Sequence, residues 1–596
     1  MRWLSSLAIG AGAVLATSGC SSSGNAAAGF AAGEPAPNGP ANASAGGSVS
    51  GSSQGASSSS AAALPAETKI ESAFQSPVAT GQVVWTANPT SGRVAYIDAT
   101  TFDVATVLAG DGPTYLAAVA DPVDDVAIVL NVLSQNATLL RDHEGVLTTT
   151  TYPASPNANA WAVSASGRWA IAWTNTSILT DAGATQGFQD VEVIDLLAPS
   201  ADGGAAPQPP TDLIVGFRPV QVVYAEPPAD AGALTETRAY AVTEDGISVI
   251  DLVDGPAPKV IANYPLSAPA SALAPPEAST PSDDGGDDAS ASSDAASGDD
   301  AAASLSSPSA PAAGTAPDVS ITPDGSYALV RQDGVPSITV VSLLDGTTTA
   351  VALPALPTDL TLSPDGTFAI AVLRDISTVV TLPIPGIAAD PTAFTSTTIA
   401  GQTIGRALVT PDAKSAILFT TAAPVSSLTI LSLGATPTAN TIALHAPVLA
   451  VFPTSDSANA IVLHNITPSD GVEGAFSIVP IASSLPANLV SLPAPPTAVA
   501  LAPSGDRALV TMSDPASATF GAYLAKMPSL QAIPYPLASA PLAAGIVAGA
   551  SAAYVTENYA EGRITFIDLQ ADGGAGGART ITGFELGARI VEGSTP

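Results

Sequence analysis

Thr322-Pro323-Asp324-Gly325-Ser326-Tyr327-Ala328-Leu329-Val330 returns forty-one residues later as Ser363-Pro364-Asp365-Gly366-Thr367-Phe368-Ala369-Ile370-Ala371. Proline sets the φ angle that the second position of a type I turn needs, aspartate bonds its own backbone nearby, and glycine suits the last turn position. The chain therefore reverses sharply. The four to six apolar residues after each turn are too few for a helix and suit a buried strand.

Looser copies of the phrase stand at Ala165-Ser166-Gly167, Pro411-Asp412-Ala413, Ser455-Asp456-Ser457 and Pro503-Ser504-Gly505. With the last turn position as a register mark, Gly325, Gly366, Ala413, Ser457 and Gly505 lie 41, 47, 44 and 48 residues apart. Asp124 and Gly167 extend the series upstream at a spacing of 43, and Ala550 extends it downstream at 45. Self-similarity at this period is the signature of stacked copies of one small unit. The chain is all-β and repetitive.

A second strand signal ends in aspartate at Ala95-Tyr96-Ile97-Asp98, Val193-Ile194-Asp195, Val249-Ile250-Asp251 and Phe566-Ile567-Asp568. Each unit thus holds several strands. Together with Val84-Trp85-Thr86-Ala87-Asn88, Ala172-Trp173-Thr174-Asn175 and Tyr554-Val555-Thr556-Glu557-Asn558, these phrases resemble the YVTN family of β-propeller repeats over about residues 78 to 592. The resemblance implies four-stranded blades around a central channel. It implies no particular activity, because one scaffold hosts many functions. Nine turn positions are countable if Glu236 is accepted as a degenerate mark, and an opening strand at Val83 to Thr86 lacks a clear preceding turn. The expectation is one closed propeller of seven or more blades over residues 67–596, with Ala588-Arg589-Ile590-Val591 pairing beside the opening strand.

The N-terminus sets where such a propeller works. Met1-Arg2 is a positive start, Trp3 to Leu15 is apolar, and small residues run up to Cys20, the single cysteine. This is signal-peptide anatomy over residues 1–19. Leu15-Ala16-Thr17-Ser18-Gly19-Cys20 resembles a bacterial lipobox, with Thr17 where leucine is common. The resemblance implies lipidation of Cys20, a membrane partner reached through the lipid, and, with Ser21 next, outer-membrane sorting in a Gram-negative cell. The alternative is an ordinary secretory signal cut elsewhere, giving a periplasmic or secreted protein with a free thiol. Either way a single cysteine forms no intrachain disulfide, so packing and ring closure must hold the blades.

Two low-complexity stretches interrupt the pattern. Residues 20–66 are mostly Ser, Ala and Gly, too poor in large apolar side chains to offset chain entropy, and read as a flexible tether. Residues 268–316, with Ser282-Asp283-Asp284-Gly285-Gly286-Asp287-Asp288, read as a disordered acidic insert within the array. They lack the alternating ligands and terminal glutamate of an EF-hand loop, so no metal is expected there. The apolar run from Leu537 to Ala553 keeps the repeat register and is broken by Pro541, Gly545 and Gly549; it reads as a blade strand rather than a membrane span.

The chain carries 52 acidic and 17 basic residues, a net charge of −35. Phosphate binding needs clustered Lys and Arg, so nucleic acid is not an expected partner. His143, His445 and His464 form no metal-ligand spacing, and Gly-Xaa-Ser-Xaa-Gly elbows and phosphate-binding glycine loops are absent from the sequence. Asp324, Asp365 and Asp412 are candidate acids that turn chemistry already explains. No cofactor is expected and no catalytic residue is assigned. Two functions stay open: a lipid-anchored, non-catalytic binding or scaffold protein of the cell envelope with a protein or glycan ligand, or an envelope lactonase-like hydrolase with carboxylates gathered at the channel mouth.

Overall fold

Among the described residues ten sheets form, each of four antiparallel strands paired with the next in sequence, one of them with a fifth, parallel strand added. A computed structural model describes residues 77–176, 188–196, 209–225, 236–253, 257–266, 318–467, 472–481, 485–559, 561–571, 577–584 and 589–591. In chain order the blades span residues 78–108, 113–153, 160–214, 219–265, 318–352, 359–398, 406–443, 448–492, 496–536 and 541–582, and are numbered 1 to 10. First strands touch between blades 1 and 2, 2 and 3, 3 and 4, 5 and 6, 6 and 7, and 9 and 10, and Val78–Thr80 of blade 1 meets Pro541–Val547 of blade 10. The sheets therefore form one ten-blade propeller, with first strands innermost.

The apolar strand sequences follow from burial on both faces. Side chains alternate across a strand. In Tyr327–Arg331, Ala328 and Val330 pack toward blade 4 with Tyr240 and Val249, while Leu329 packs toward blade 6 with Leu360 and Ala371. In Phe368–Leu373, Ala369 and Ala371 pack back on blade 5, and Ile370 and Val372 pack forward on Ala407 and Leu418 of blade 7. The core is thus a series of layers between blades. A strand buried on both sides has no polar face to alternate with.

The recurring phrase forms the turn between first and second strands. Gly325 N–H donates to the Thr322 carbonyl at 2.8 Å, and Gly366 N–H donates to the Ser363 carbonyl at 2.9 Å. The register marks Gly167, Gly325, Gly366, Ala413, Ser457 and Gly505 all have positive φ, between 56° and 76°. Glycine is favoured there for a second reason. A Cβ on Gly325 would run into the Tyr240 hydroxyl of blade 4, and one on Gly366 would lie 2.6 Å from Pro323 Cδ of blade 5. Each turn leans on the turn or blade before it.

The remaining marks sharpen the blade count. The Ala550 mark is one residue from Ser551, which holds the positive φ of 49°. Asp124 closes the corresponding turn of blade 2 without positive φ, and Glu236 enters the second strand of blade 4. The opening strand is the second strand of blade 1, Val83–Asn88; its first strand is Val78–Thr80, and its turn holds Gly81 at φ 40°. Nine marks and one opening strand make ten blades. The Val-Ile-Asp phrases end third strands, as at Arg93–Asp98 and Arg563–Asp568, and the Leu537 to Ala553 run supplies the first strand of blade 10. Among the described residues no helix is long and apolar enough to cross a membrane.

The expected C-terminal pairing is corrected. Arg589–Val591 lies parallel to Val104–Leu108, the outermost strand of blade 1, and not beside Val83 to Thr86. Val83–Asn88 already has Val78–Thr80 on one side and Arg93–Asp98 on the other, and the C-terminal strand takes the outer edge of the sheet instead. Residues 1–66, including Cys20, and the acidic insert 268–316 lie outside the described residues.

Candidate functional site

Antiparallel strands put the turns between first and second strands on one rim of the ring, the turn face. Interblade connections and second-to-third-strand turns lie on the other rim, the connection face. The candidate acids Asp324, Asp365 and Asp412 all sit on the turn face. Thr322 Oγ1 donates to Asp324 Oδ1 at 2.6 Å and accepts from Ser326 and Tyr327 N–H at 3.1 and 3.0 Å. Ser363 repeats the donation to Asp365 at 2.7 Å, and Thr410 repeats it to Asp412 at 2.7 Å. Partial burial opposes ionisation of Asp324, but bonds from Thr322 and Ser326 outweigh it and hold the carboxyl below its ordinary range. An acid held ionised by its own turn is a poor proton donor.

The histidines are dispersed. His143 is exposed at the end of a third strand in blade 2, its Nδ1 2.6 Å from Asp124 Oδ1, and this bond pulls its pKa up. Arg141 holds Asp124 and Asp121 at 2.8 Å each. His464 is buried in blade 8, its Nε2 2.7 Å from Ser477 Oγ and its Nδ1 3.2 Å from the Pro447 carbonyl. Burial lowers its pKa. A neutral ring donating from Nδ1 to the carbonyl and accepting at Nε2 satisfies both contacts. Ser477 is also fully buried, so this Ser–His pair is closed to substrate. His445 is exposed in the connection between blades 7 and 8.

Three buried glutamates serve as clamps. Glu236 accepts from Ser166 N–H at 2.8 Å, joining blade 4 to the blade 3 turn. Glu557 accepts from Ser539 N–H at 3.0 Å and from Thr565 Oγ1 at 2.7 Å. Glu192 accepts from Ser155 N–H at 2.7 Å, tying blade 3 to the connection from blade 2. Burial pushes the Glu192 carboxyl up to about 7; the Ser155 bond opposes the rise and nearby Asp212 adds to it.

One place departs from the repeat with charge. Seven residues before the register mark, at or within two residues of the start of the first strand, the chain has Ala160, Ala450, Ala498 and Ala543 in blades 3, 8, 9 and 10. In the successive blades 5, 6 and 7 the same position is Asp318, Asp359 and Arg406. All three lie at the connection face, on the innermost strands. Asp318 Oδ2 is 3.4 Å from Arg331 Nε, and Arg331 Nη1 is 2.5 Å from Asp333 Oδ1 and 3.5 Å from the Pro357 carbonyl of the next connection. Asp359, only 2% exposed, accepts from Ala407 N–H at 2.9 Å and lies 3.9 Å from Arg406 Nε. The Arg406 guanidinium stands 5.6 Å from the Phe419 ring. Thr358 and Thr361 add hydrogen bonds to the Gly405 and Ala407 carbonyls at 2.7 and 2.8 Å.

This mixed-charge sector is the candidate site. Motif reading passed over it because its residues are scattered; comparison of equal register positions reveals it. Its charged side chains are mostly buried and pair with one another along the first strands. Asp318 and Asp359 are the carboxylates of this sector, each facing an arginine. Among the described residues no group of three or more His, Cys, Asp or Glu side chains could hold a metal ion.

No family model matches the chain, and no curated protein matches it in sequence. It is similar to solved structures at low identity. Dihydro-heme d1 dehydrogenase NirN is 13% identical over 70% of this chain and 74% of its own, with a TM-score of 0.38. Apo AztD from Citrobacter koseri is 12% identical over 67% of this chain and 91% of its own, with a TM-score of 0.35. At these values the likenesses carry no argument about activity, and the propeller rests on the chain's own ten sheets.

Proposed function

We propose that this chain is an envelope-anchored, non-catalytic binding or scaffold propeller of YVTN type. Cys20 carries the lipid, residues 20–66 form the tether, and the ring presents its connection face to a protein or glycan ligand. The observation that supports a binding role is the use of the ionisable side chains. Turn aspartates are locked by their own Thr and Ser neighbours, buried glutamates clamp blades, and His464 faces a sealed serine. The departure from the repeat, Asp318-Arg331 and Asp359-Arg406, pairs acid with base. A rigid surface with fixed donors and acceptors suits recognition.

Anchor and ligand separate in two experiments. Metabolic labelling with an alkyne fatty acid should mark the wild-type chain and leave Cys20→Ser unlabelled; an unlabelled wild-type chain refutes the anchor. For catalysis, the purified protein should leave lactone and glycoside panels unchanged. Turnover abolished by Asp318→Asn or Asp359→Asn would replace the binding role with a hydrolase.

A further inference from the structure

At nine of the ten junctions between blades a connection runs from the fourth strand of one blade to the first strand of the next, and at the junction between blades 10 and 1 the chain after blade 10 runs instead to the outer strand of blade 1. Each blade takes its four strands from one continuous stretch of sequence, so the two ends of the chain share no four-stranded sheet. Side chains do fill the seam. Val84, Ala95 and Ile97 of blade 1 pack with Val547, Tyr554 and Phe566 of blade 10. Phe102 stacks edge-on against Phe566 at 5.5 Å, and Arg579 covers the other ring at 4.1 Å. Near the axis, Gly549 N–H donates to the Gly81 carbonyl at 3.2 Å and Tyr554 Oη donates to the Pro77 carbonyl at 3.2 Å.

At the rim, described residues stand on both sides of the seam. After the last strand of blade 10, Phe584 is buried against Gly562 among the seam residues, 2.5 Å from where a Cβ on that glycine would stand. Seven residues after Thr582 the chain is paired on blade 1, with Ala105, Thr106 and Val107 opposite Arg589, Ile590 and Val591. This strap is short, parallel and on an outer edge. Three residue pairs hold weakly compared with the six pairs between Val83–Asn88 and Arg93–Asp98 in the same sheet.

We propose that the C-terminal strand is a releasable latch: paired on Val104–Leu108 it closes the ring, and its release loosens the seam between blades 10 and 1 before any other interface. Loop-closure entropy gives the physical reason. Joining the ends of so long an array is costly, and each backbone contact across the joint offsets part of that cost. In a repeat protein, stability is a sum of nearest-neighbour terms, so weakening one interface is felt first there.

Two variants of the full chain test this by amide hydrogen exchange: one ending at Phe584, the other carrying Arg589→Pro with Ile590→Pro. Both are expected to exchange at least tenfold faster at Val104–Leu108, and faster across Val83–Asp98 and Pro541–Asp568, with blades 5 to 7 unchanged. A synthetic peptide of residues 585–596 added at millimolar concentration is expected to restore protection at Val104–Leu108 in the truncated chain. Unchanged exchange at that strand, equal acceleration in all ten blades, or failure of the peptide to protect would each overturn the latch.

Discussion

The two faces of the ring obey different rules. On the turn face the same residue types recur because each position has one task. Proline and glycine shape the turn, Thr or Ser with Asp closes it, and the neighbouring blade leaves no room for a side chain at Gly325 or Gly366. On the connection face the equivalent position is alanine in four blades and charged in blades 5, 6 and 7. Repetition marks what the fold demands, and its breaking marks where other demands enter.

The largest expected effect is at the turn face. Gly325→Val adds a β-branched side chain at φ 69° against Tyr240. It is expected to destabilise blades 4 and 5 by about 3 kcal/mol. Gly334, at φ 76° with open space around it, is the control; Gly334→Ala is expected to cost about 1 kcal/mol in the same urea titration. Equal costs would remove the claim that turns lean on their neighbours.

On the connection face, Asp359→Ala leaves the Ala407 N–H without its acceptor and the Arg406 guanidinium without this carboxylate. A loss of about 2–3 kcal/mol is expected, read as a shift in urea midpoint. A neutral result would demote the charged sector to ordinary surface.

Next come two buried titrating groups with opposite signs. Glu192 has a raised pKa, so its contribution is fully present below about 4.5 and lost as pH rises toward about 7. Glu192→Gln keeps an acceptor for Ser155 and is expected to gain on the wild type across that window, by roughly 2 kcal/mol at most after solvent screening. His464 has a lowered pKa, so its contribution is present above the ordinary histidine value of 6.5 and lost as pH falls below it. His464→Gln is expected to flatten that acid limb. Parallel pH profiles for wild type and either variant would contradict the assignment.

The smallest effect belongs to Asp324→Ala. It removes the acceptor of Thr322 and of Ser326 N–H on a half-exposed turn, and about 1 kcal/mol is expected by urea titration. Neighbouring blades should be unaffected.

The repeat made blade type and strand order legible, because turn chemistry is local and the φ of Gly325, Gly366 and even Ala413 is written in a few adjacent residues. The blade count was reachable from the nine marks with the opening strand. The C-terminal pairing was misplaced because three residues, Arg589-Ile590-Val591, suit any free edge, and strand order in the sheet puts Val104–Leu108 at the outer one. The charged sector was hidden for another reason. Asp318, Arg331, Asp359 and Arg406 are brought together by register between strands and blades, which no short motif encodes.

The central claim is a single ring in which every repeat is one blade. End-on electron-microscopy class averages of the purified chain test it most directly. Ten radial blades around one channel are expected, with extra density outside a single blade where the C-terminal strand adds a fifth. Two smaller rings, an open arc, or a closed ring of fewer blades would contradict it.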